Sequence, residues 1–254
     1  MKKYIIAFFL LVISFLYIFL SNETGGARVF VNLMTFAGIY GLAAIGINVH
    51  FGWTGLLNFG HAAFMGIGAY TTVLLIPHSL GREGVVISSG LPLPLAILIG
   101  ILAAALLGLF LGLPTLRLRG DYLAIVTIAA AEIFRLLVRD FEDLTGGVYG
   151  IIQFSDSLQN SRPDFITRFG ESYDISPSQF WVGLLTWISI IVVLLILSRL
   201  KKSPWGRALR AVREDEDAVR ALGKNAVLLK LQSFMLGAAI GGLSGIFLVF
   251  NYGT

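Results

Sequence analysis

Long runs of apolar residues, separated by short polar or charged stretches, make up most of the chain. Gly, Pro and charged residues divide it into seven apolar segments, at 4–20, 29–49, 60–76, 92–113, 121–138, 180–198 and 230–250. A helix of about 20 apolar residues crosses roughly 30 Å of hydrocarbon. The pattern therefore predicts an all-α, polytopic transmembrane helical bundle of about seven spans, with residues 1–254 forming a single transmembrane domain.

Two of the segments allow a second interpretation. Residues 4–20 follow the basic start Lys2 and Lys3, as the core of a signal peptide does, but no small-residue cleavage site closes the run. Tyrosines near both of its ends resemble interfacial anchors, which favours a retained helix. The third segment follows a Gly-rich, uncharged stretch from His50 to His61, so a re-entrant or broken helix is the alternative to a full crossing.

The charged residues concentrate in stretches that alternate in sign along this topology. Between Arg199 and Lys230, after the sixth span, there are nine basic and four acidic residues. Residues 139–174, after the fifth span, hold seven acidic residues and three arginines. Because cytoplasmic loops are enriched in Lys and Arg, we expect a cytoplasmic N-terminus, an external loop at 139–179 and a cytoplasmic loop at 199–229.

Composition excludes several classes of function. The chain is 56% hydrophobic and 13% charged, unlike a soluble domain, and its net charge of +4 reflects membrane orientation, so no nucleic-acid binding is expected. It has no cysteine, and His50, His61 and His78 show no metal-ligand spacing. No Gly-x4-Gly-Lys-Ser/Thr motif is present. We therefore expect no enzyme activity, no ATPase site, no metal and no cofactor.

The stretch from Ser203 to Lys230 is a charged insertion in an otherwise apolar chain. Pro204 suits a first helical turn, Gly223 can end a helix, and an apolar stripe that includes Leu222 recurs at helical spacing. Short amphipathic helices are predicted here. They could rest on membrane lipid through their basic residues. Four consecutive acids, Glu214–Asp217, favour a basic protein partner instead, because anionic lipid would repel them.

Polar residues at predicted membrane depth are candidates for a solute path. Asn58 and His61 lie among glycines that include Gly60 and Gly66, as in a broken helix whose free backbone groups meet a zwitterion. The alternative is tight packing with Asn58 as a helix cap. A second candidate is the charged pair Glu132 and Arg135, three residues apart on one helix face, which would act as a gate, a solute contact or a structural pair.

Glycines also recur at four-residue spacing, as in Gly237, Gly241 and Gly245. Missing side chains let helix backbones approach closely, so plain helix packing is the main interpretation. A glycine-lined passage or a mobile packing surface is the alternative.

Four stretches, in order, resemble the inner-membrane permease subunits of branched-chain amino-acid importers in the ABC superfamily. They are Gly52–Tyr70, Leu116–Leu137, Leu144–Ile151 and Gly206–Gly245. The resemblance implies a bacterial inner-membrane location and uptake of branched-chain or other neutral amino acids, with urea or short amides as the alternative. It also implies two ABC ATPase subunits, a homologous second permease subunit and a periplasmic or lipid-anchored substrate-binding protein as partners. A stand-alone secondary transporter is the competing class.

In that family, a cytoplasmic loop with an EAA-x-x-x-G pattern forms the coupling helix that contacts the ATPase. The matching positions here are Asp217, Ala218, Val219 and Gly223, so the first and third letters differ. Arg213, Glu214 and Asp215 precede them in the same predicted loop. The family usually continues with further membrane helices, so a chain truncated at its C-terminus is a further expectation of the resemblance.

Overall fold

The computed structural model describes residues 25–76, 89–115, 120–147, 150–151, 158, 161–172 and 175–253. These residues are largely helical. Their helices are α1 (Gly26–Thr54), α2 (His61–Leu75), α3 (Leu93–Thr115), α4 (Gly120–Asp140), α5 (Glu142–Thr145), α6 (Asp164–Ser172), α7 (Pro177–Lys202), α8 (Pro204–Glu214), α9 (Glu216–Ala221) and α10 (Ala226–Tyr252). No strand occurs in this part of the chain, which confirms the all-α prediction. The first predicted span, 4–20, lies outside the described residues, as does the choice between a signal peptide and a retained helix.

Four helices within the described ranges, α1, α3, α7 and α10, are long and apolar enough to cross a membrane. α2 is apolar but has 15 residues. α4 matches the predicted span 121–138 in its bounds, but it carries several charged residues: Asp121, Glu132, Arg135, Arg139 and Asp140. A multi-span helical protein is thus confirmed, whereas the count of seven spans and the cytoplasmic N-terminus stay predictions.

α10 is the centre of the bundle and packs against α1, α2 and α3. Within its most apolar stretch 67% of the residues are buried, against 39% or fewer in the other three candidate spans. Its small residues explain this position. Gly242 lies against Ala104 of α3, and Gly245 lies against the Met65 carbonyl of α2. A Cβ on either glycine would overlap the atom that it faces. Close backbone approach of this kind is how helices pack without large side chains between them.

Contacts between the helices define their relative directions. Ser233 and Ser244 of α10 donate hydrogen bonds to the carbonyls of Val49 and Ile39 of α1, at 2.9 and 2.8 Å, so these two helices are antiparallel. Equivalent contacts make α2 and α4 parallel to α10, and α3 and α7 parallel to α1. The directions agree with the alternation that the sequence predicts for spans 29–49 to 230–250.

The predicted external loop, 139–179, holds two short helices in its described part, α5 and α6. α6 packs on the start of α7, where Gly170 lies against Pro177 and Ile166 is buried. The external location of this segment stays a prediction.

Candidate functional site

The charged insertion folds into two short helices, α8 and α9, as the pattern predicts. Ser203 caps α8 through its Oγ, which accepts from the Gly206 N–H at 3.2 Å, and Pro204 is the first helical residue. Asp215 caps α9 through its Oδ1, which accepts from the Ala218 N–H at 2.9 Å. Gly223 follows α9 with φ +74° and donates to the Arg220 carbonyl at 2.9 Å. Local capping therefore sets both ends of this segment.

α8 and α9 are fastened to the start of α10. Val212 and Val219 are buried together with Ala226, the first residue of α10. The Glu216 carboxylate bonds Arg220 at 2.7 Å and forms an ion pair with Lys230 of α10. The buried side chains and the ion pair together join this segment to α10.

A second contact ties the insertion to the end of α1. The Arg213 Nη1 donates to the Gly52 carbonyl in the last turn of α1 at 2.7 Å. The last carbonyls of a helix have no partner inside the helix and carry partial negative charge, so a guanidinium is a favourable cap. The side chain passes over Gly55, which ends α1 with φ +71°. Arg213 therefore joins the insertion to a helix that lies elsewhere in the sequence.

The outward surface of α8 and α9 combines acids with one apolar residue. The side chains of Glu214 and Asp217 are 74% and 94% exposed, and Ala218 and Gly223 are exposed beside them. Leu222 is 79% exposed, so the expectation that it belongs to the buried stripe is wrong. The physical reason is that α9 ends at Ala221, and the following turn rotates Leu222 away from the core. We name this surface, formed by Glu214, Asp217, Ala218, Leu222 and Gly223, the loop tip.

The four consecutive acids do not form one acidic surface. Glu216 is held in its ion pairs, and Asp215 is occupied as the cap of α9. The Glu214 and Asp217 carboxylates are strongly exposed, and each lies near an arginine, Arg213 at 3.6 Å and Arg220 at 3.8 Å. An acidic run in the sequence thus divides into two carboxylates that hold α9 and two that serve as contacts on its surface.

A buried polar cluster lies where α1 ends and α2 begins. α1 ends at Thr54 and α2 begins at His61, so residues 55–60 connect two antiparallel helices. The choice between a re-entrant segment and a full crossing stays a prediction. The Asn58 Nδ2 donates to the His50 Nδ1 at 3.0 Å, and the His50 Nε2 donates to the Phe234 carbonyl of α10 at 2.9 Å. Because a carbonyl only accepts, Nε2 carries the proton of this imidazole. The Asn58 Oδ1 accepts from the Gly60 N–H at 3.0 Å, so Asn58 is buried and holds the start of α2, although Gly60 is the N-cap residue itself. This agrees with the packing alternative, and a role in the solute path stays a prediction.

His61 lies beside this cluster but takes no part in its hydrogen bonds. It is 5% exposed, and neither ring nitrogen has a hydrogen-bond partner among the residues that the structure describes. Its ring is 5.6 Å from the His50 ring and 5.9 Å from the Phe64 ring, centroid to centroid. Gly46 of α1 and Gly241 of α10 flank the imidazole, and a Cβ on Gly241 would come within 2.7 Å of Nε2.

The remaining candidate path residues lie elsewhere. Gly60 and Gly66 pack against the Thr127 carbonyl and the Phe134 ring of α4. Glu132 and Arg135 form the predicted pair, with N–O distances of 2.6 and 2.9 Å, and both side chains are more than half exposed. The structure therefore brings Asn58 and His61 together but does not bring the charged pair to them.

Sequence reasoning missed three residues of the buried cluster. His50 was considered only as a metal ligand, yet it links α1, Asn58 and α10. Thr54 and Ser233 complete the same contact, with hydroxyls that donate to the His50 and Val49 carbonyls at 2.7 and 2.9 Å. A histidine directly after a predicted span is itself an available signal, because polar groups at membrane depth need protein partners.

These features define a multi-pass helical membrane protein with a charged extension that is joined to the ends of two of its helices. Residues 29–254 match the family model described as branched-chain amino acid transport system / permease component. The chain belongs to this family, as its resemblance indicates.

Relatives support the assignment. The high-affinity branched-chain amino acid transport system permease protein LivM of Salmonella typhimurium is 39% identical over 226 residues, covering 85% of this chain and 51% of the relative. LivM of Escherichia coli is 38% identical over the same shares. The probable permease LivM of Methanocaldococcus jannaschii is 28% identical, and the match covers 84% of this chain and 65% of the length of that relative. The chain thus spans about half the length of the two bacterial relatives. No solved structure matches it significantly.

Proposed function

We propose that the protein is a permease subunit of an ABC importer and moves branched-chain or other neutral amino acids into the cell. Family membership supports the transport class, and the printed names of the relatives support the substrate class. The observation that carries the proposal is the extension formed by α8 and α9. Its loop tip is exposed, and its other contacts join it to the end of α1 and the start of α10.

The extension can transmit movement because it is joined to the bundle at two points. Arg213 holds the end of α1, and the Glu216 ion pair with Lys230 holds the start of α10. A partner that closes on ATP and pushes on the loop tip would move both helices together, since packed elements shift as rigid bodies. In this proposal, the residues that hold the extension together are Arg213, Asp215 and Glu216. The residues that contact the ATPase are those of the loop tip: Glu214, Asp217, Ala218, Leu222 and Gly223.

The partners in this proposal are two ABC ATPase subunits, a homologous second permease subunit and a periplasmic or lipid-anchored substrate-binding protein. The protein lies in the bacterial inner membrane with residues 199–229 in the cytoplasm and 139–179 outside. ATP is hydrolysed by the partners and not by this chain. The alternation of helix directions and the basic character of the extension support this orientation.

The decisive experiment is uptake by the reconstituted assembly with a panel of labelled leucine, isoleucine, valine, other neutral amino acids and urea. We expect ATP-dependent uptake of the aliphatic amino acids. Preferential uptake of urea would change the substrate class and leave the importer mechanism in place. Gradient-driven uptake by this chain alone, without ATPase subunits, would contradict the mechanism and support a secondary transporter.

The same assembly tests the loop tip. Leu222→Glu places a charge where a buried apolar contact with the ATPase is proposed, so co-purification of the ATPase should fall about tenfold or more. Phe165→Glu is the matched control, because Phe165 is also an exposed apolar residue, at 64%, but lies on α6. It should leave ATPase binding unchanged. Equal effects of both variants would remove the loop tip from the interface.

A further inference from the structure

We propose that His61 binds the transported solute, and that the solute reaches it when α10 separates from α1 and α2. This inference rests on the proposed function and assigns a solute contact within it. Two independent observations carry it: an imidazole that is buried without hydrogen bonds, and a seam between helices that is formed by glycines.

The first observation is the unpaired imidazole. A neutral histidine has one N–H donor and one acceptor nitrogen, and burying both without partners costs free energy that a packed protein normally avoids. Neither ring nitrogen of His61 has a hydrogen-bond partner among the described residues, although the residue is only 5% exposed. An apolar ring would fill the same space without that cost. We assign the hydrogen-bonding capacity of His61 to a second packing state in which the imidazole meets a partner.

His50 is the internal comparison. It lies 5.6 Å away, centroid to centroid, is fully buried and has both nitrogens occupied, by Asn58 and by the Phe234 carbonyl. Its role in the described packing is complete, because it joins α1 to α10. The two histidines therefore have different roles, although both lie in apolar surroundings at the same break between α1 and α2.

The second observation is the seam on either side of His61. Gly46 and Gly241 contact the imidazole directly, Gly237 contacts His50, and Gly245 lies on the backbone of α2. No side chain from these four positions interlocks across the seam. Separating α10 from α1 breaks the hydrogen bonds that Ser233, Ser244 and His50 make between them, but no side chain at the glycine positions has to be withdrawn. The second packing state is therefore placed at this seam. The unpaired imidazole faces into that seam.

The chemistry of an amino acid matches what His61 offers. The imidazole can bind either charged group of the zwitterion, because its N–H donates to a carboxylate and its other nitrogen accepts from an ammonium. The two ring nitrogens point away from each other, so one amino acid engages one of them. The Phe64 ring, 5.9 Å from His61 between centroids, and the apolar residues around it suit an aliphatic side chain. The ligand class is therefore a small zwitterion with an apolar side chain.

The test compares His61→Phe with His50→Phe in the purified assembly, and measures Tm, the rise in Tm on adding leucine, and ATP-driven uptake. His61→Phe should keep the assembly and a Tm at or above the wild type, because an unpaired polar group is removed. It should lose the leucine-dependent rise in Tm, and uptake should fall by about tenfold or more, as expected for a lost charge-assisted hydrogen bond. His50→Phe should lower Tm, because it breaks two buried hydrogen bonds.

His61→Gln adds a rescue arm, because an amide again offers a donor and an acceptor. It should recover part of the uptake and of the leucine-dependent rise in Tm. Wild-type uptake by His61→Phe, or a loss of assembly or Tm as large as that of His50→Phe, would overturn the inference. Either result leaves the proposed function standing, provided that the wild-type assembly takes up leucine. Absence of uptake in the wild type contradicts the proposed function itself.

Discussion

At the scale of single residues, small side chains decide how closely the helices of this bundle approach. Gly245 lies on the Met65 backbone, so any side chain at this position must displace α10 from α2. Gly41 of α1 lies in a similar helix, yet the nearest atom to a Cβ built there is Ile190 Cδ1, at 3.9 Å. The two glycines look alike in the sequence and differ only in their surroundings.

Gly245→Ala should therefore destabilise the folded chain by about 1–3 kcal/mol, the usual range for overpacking a filled site. Gly41→Ala is the matched control and should be neutral or stabilising by about 0.5–1 kcal/mol, because alanine is the better helix former. Denaturation in detergent, followed by circular dichroism, measures both. A smaller loss for Gly245→Ala than for Gly41→Ala would contradict the packing described here.

At the scale of elements, α9 depends on its attachment to α10 as well as on its own sequence. It has six residues, too few for a stable isolated helix. Its cap, Asp215, was not identified as one from the sequence, although the residue type favours that role. The ion pair with Lys230 joins positions 14 residues apart and has no signature in the local pattern.

A double-mutant cycle on Glu216→Gln and Lys230→Met should give a coupling energy of about 1 kcal/mol, because the pair is largely shielded from solvent. Side-chain exposure is 27% for Glu216 and 13% for Lys230. The control cycle on Arg139 and Asp140, whose side chains are at least half exposed, should give a value near zero. Unfolding in detergent supplies the energies. Equal couplings would show that the first pair does not fasten α9.

At the scale of the whole molecule, orientation is the property on which the importer mechanism depends. The chain contains no cysteine, so a single introduced thiol reports its own location. Phe165 and Leu222 are both largely exposed apolar residues and belong to the predicted external and cytoplasmic segments.

Phe165→Cys should react with a membrane-impermeant maleimide in intact cells from which the outer membrane barrier has been removed. Leu222→Cys should react only after the inner membrane is permeabilised. The extent of labelling on a denaturing gel measures both. Labelling of Leu222→Cys from outside would place the loop tip away from any cytoplasmic ATPase and would reject the proposed coupling.

Most of the helical architecture follows from the sequence by itself. Apolar runs predicted α1, α3, α7 and α10 to within a few residues at most ends, and Pro204 and Gly223 delimited the charged segment. The pair of Glu132 and Arg135 formed as spacing predicts. These features arise from interactions within one or two helical turns, which a local pattern records.

Only the tertiary structure decided which polar groups meet. His50 and Phe234 are 184 residues apart, and Arg213 and Gly52 are 161 apart. The isolation of His61 and the exposure of Leu222 likewise depend on how distant helices pack. Hydropathy predicts that a helix will be buried in a membrane or a bundle. It does not state which of its residues will face a particular neighbour, because that choice depends on segments far away in the chain.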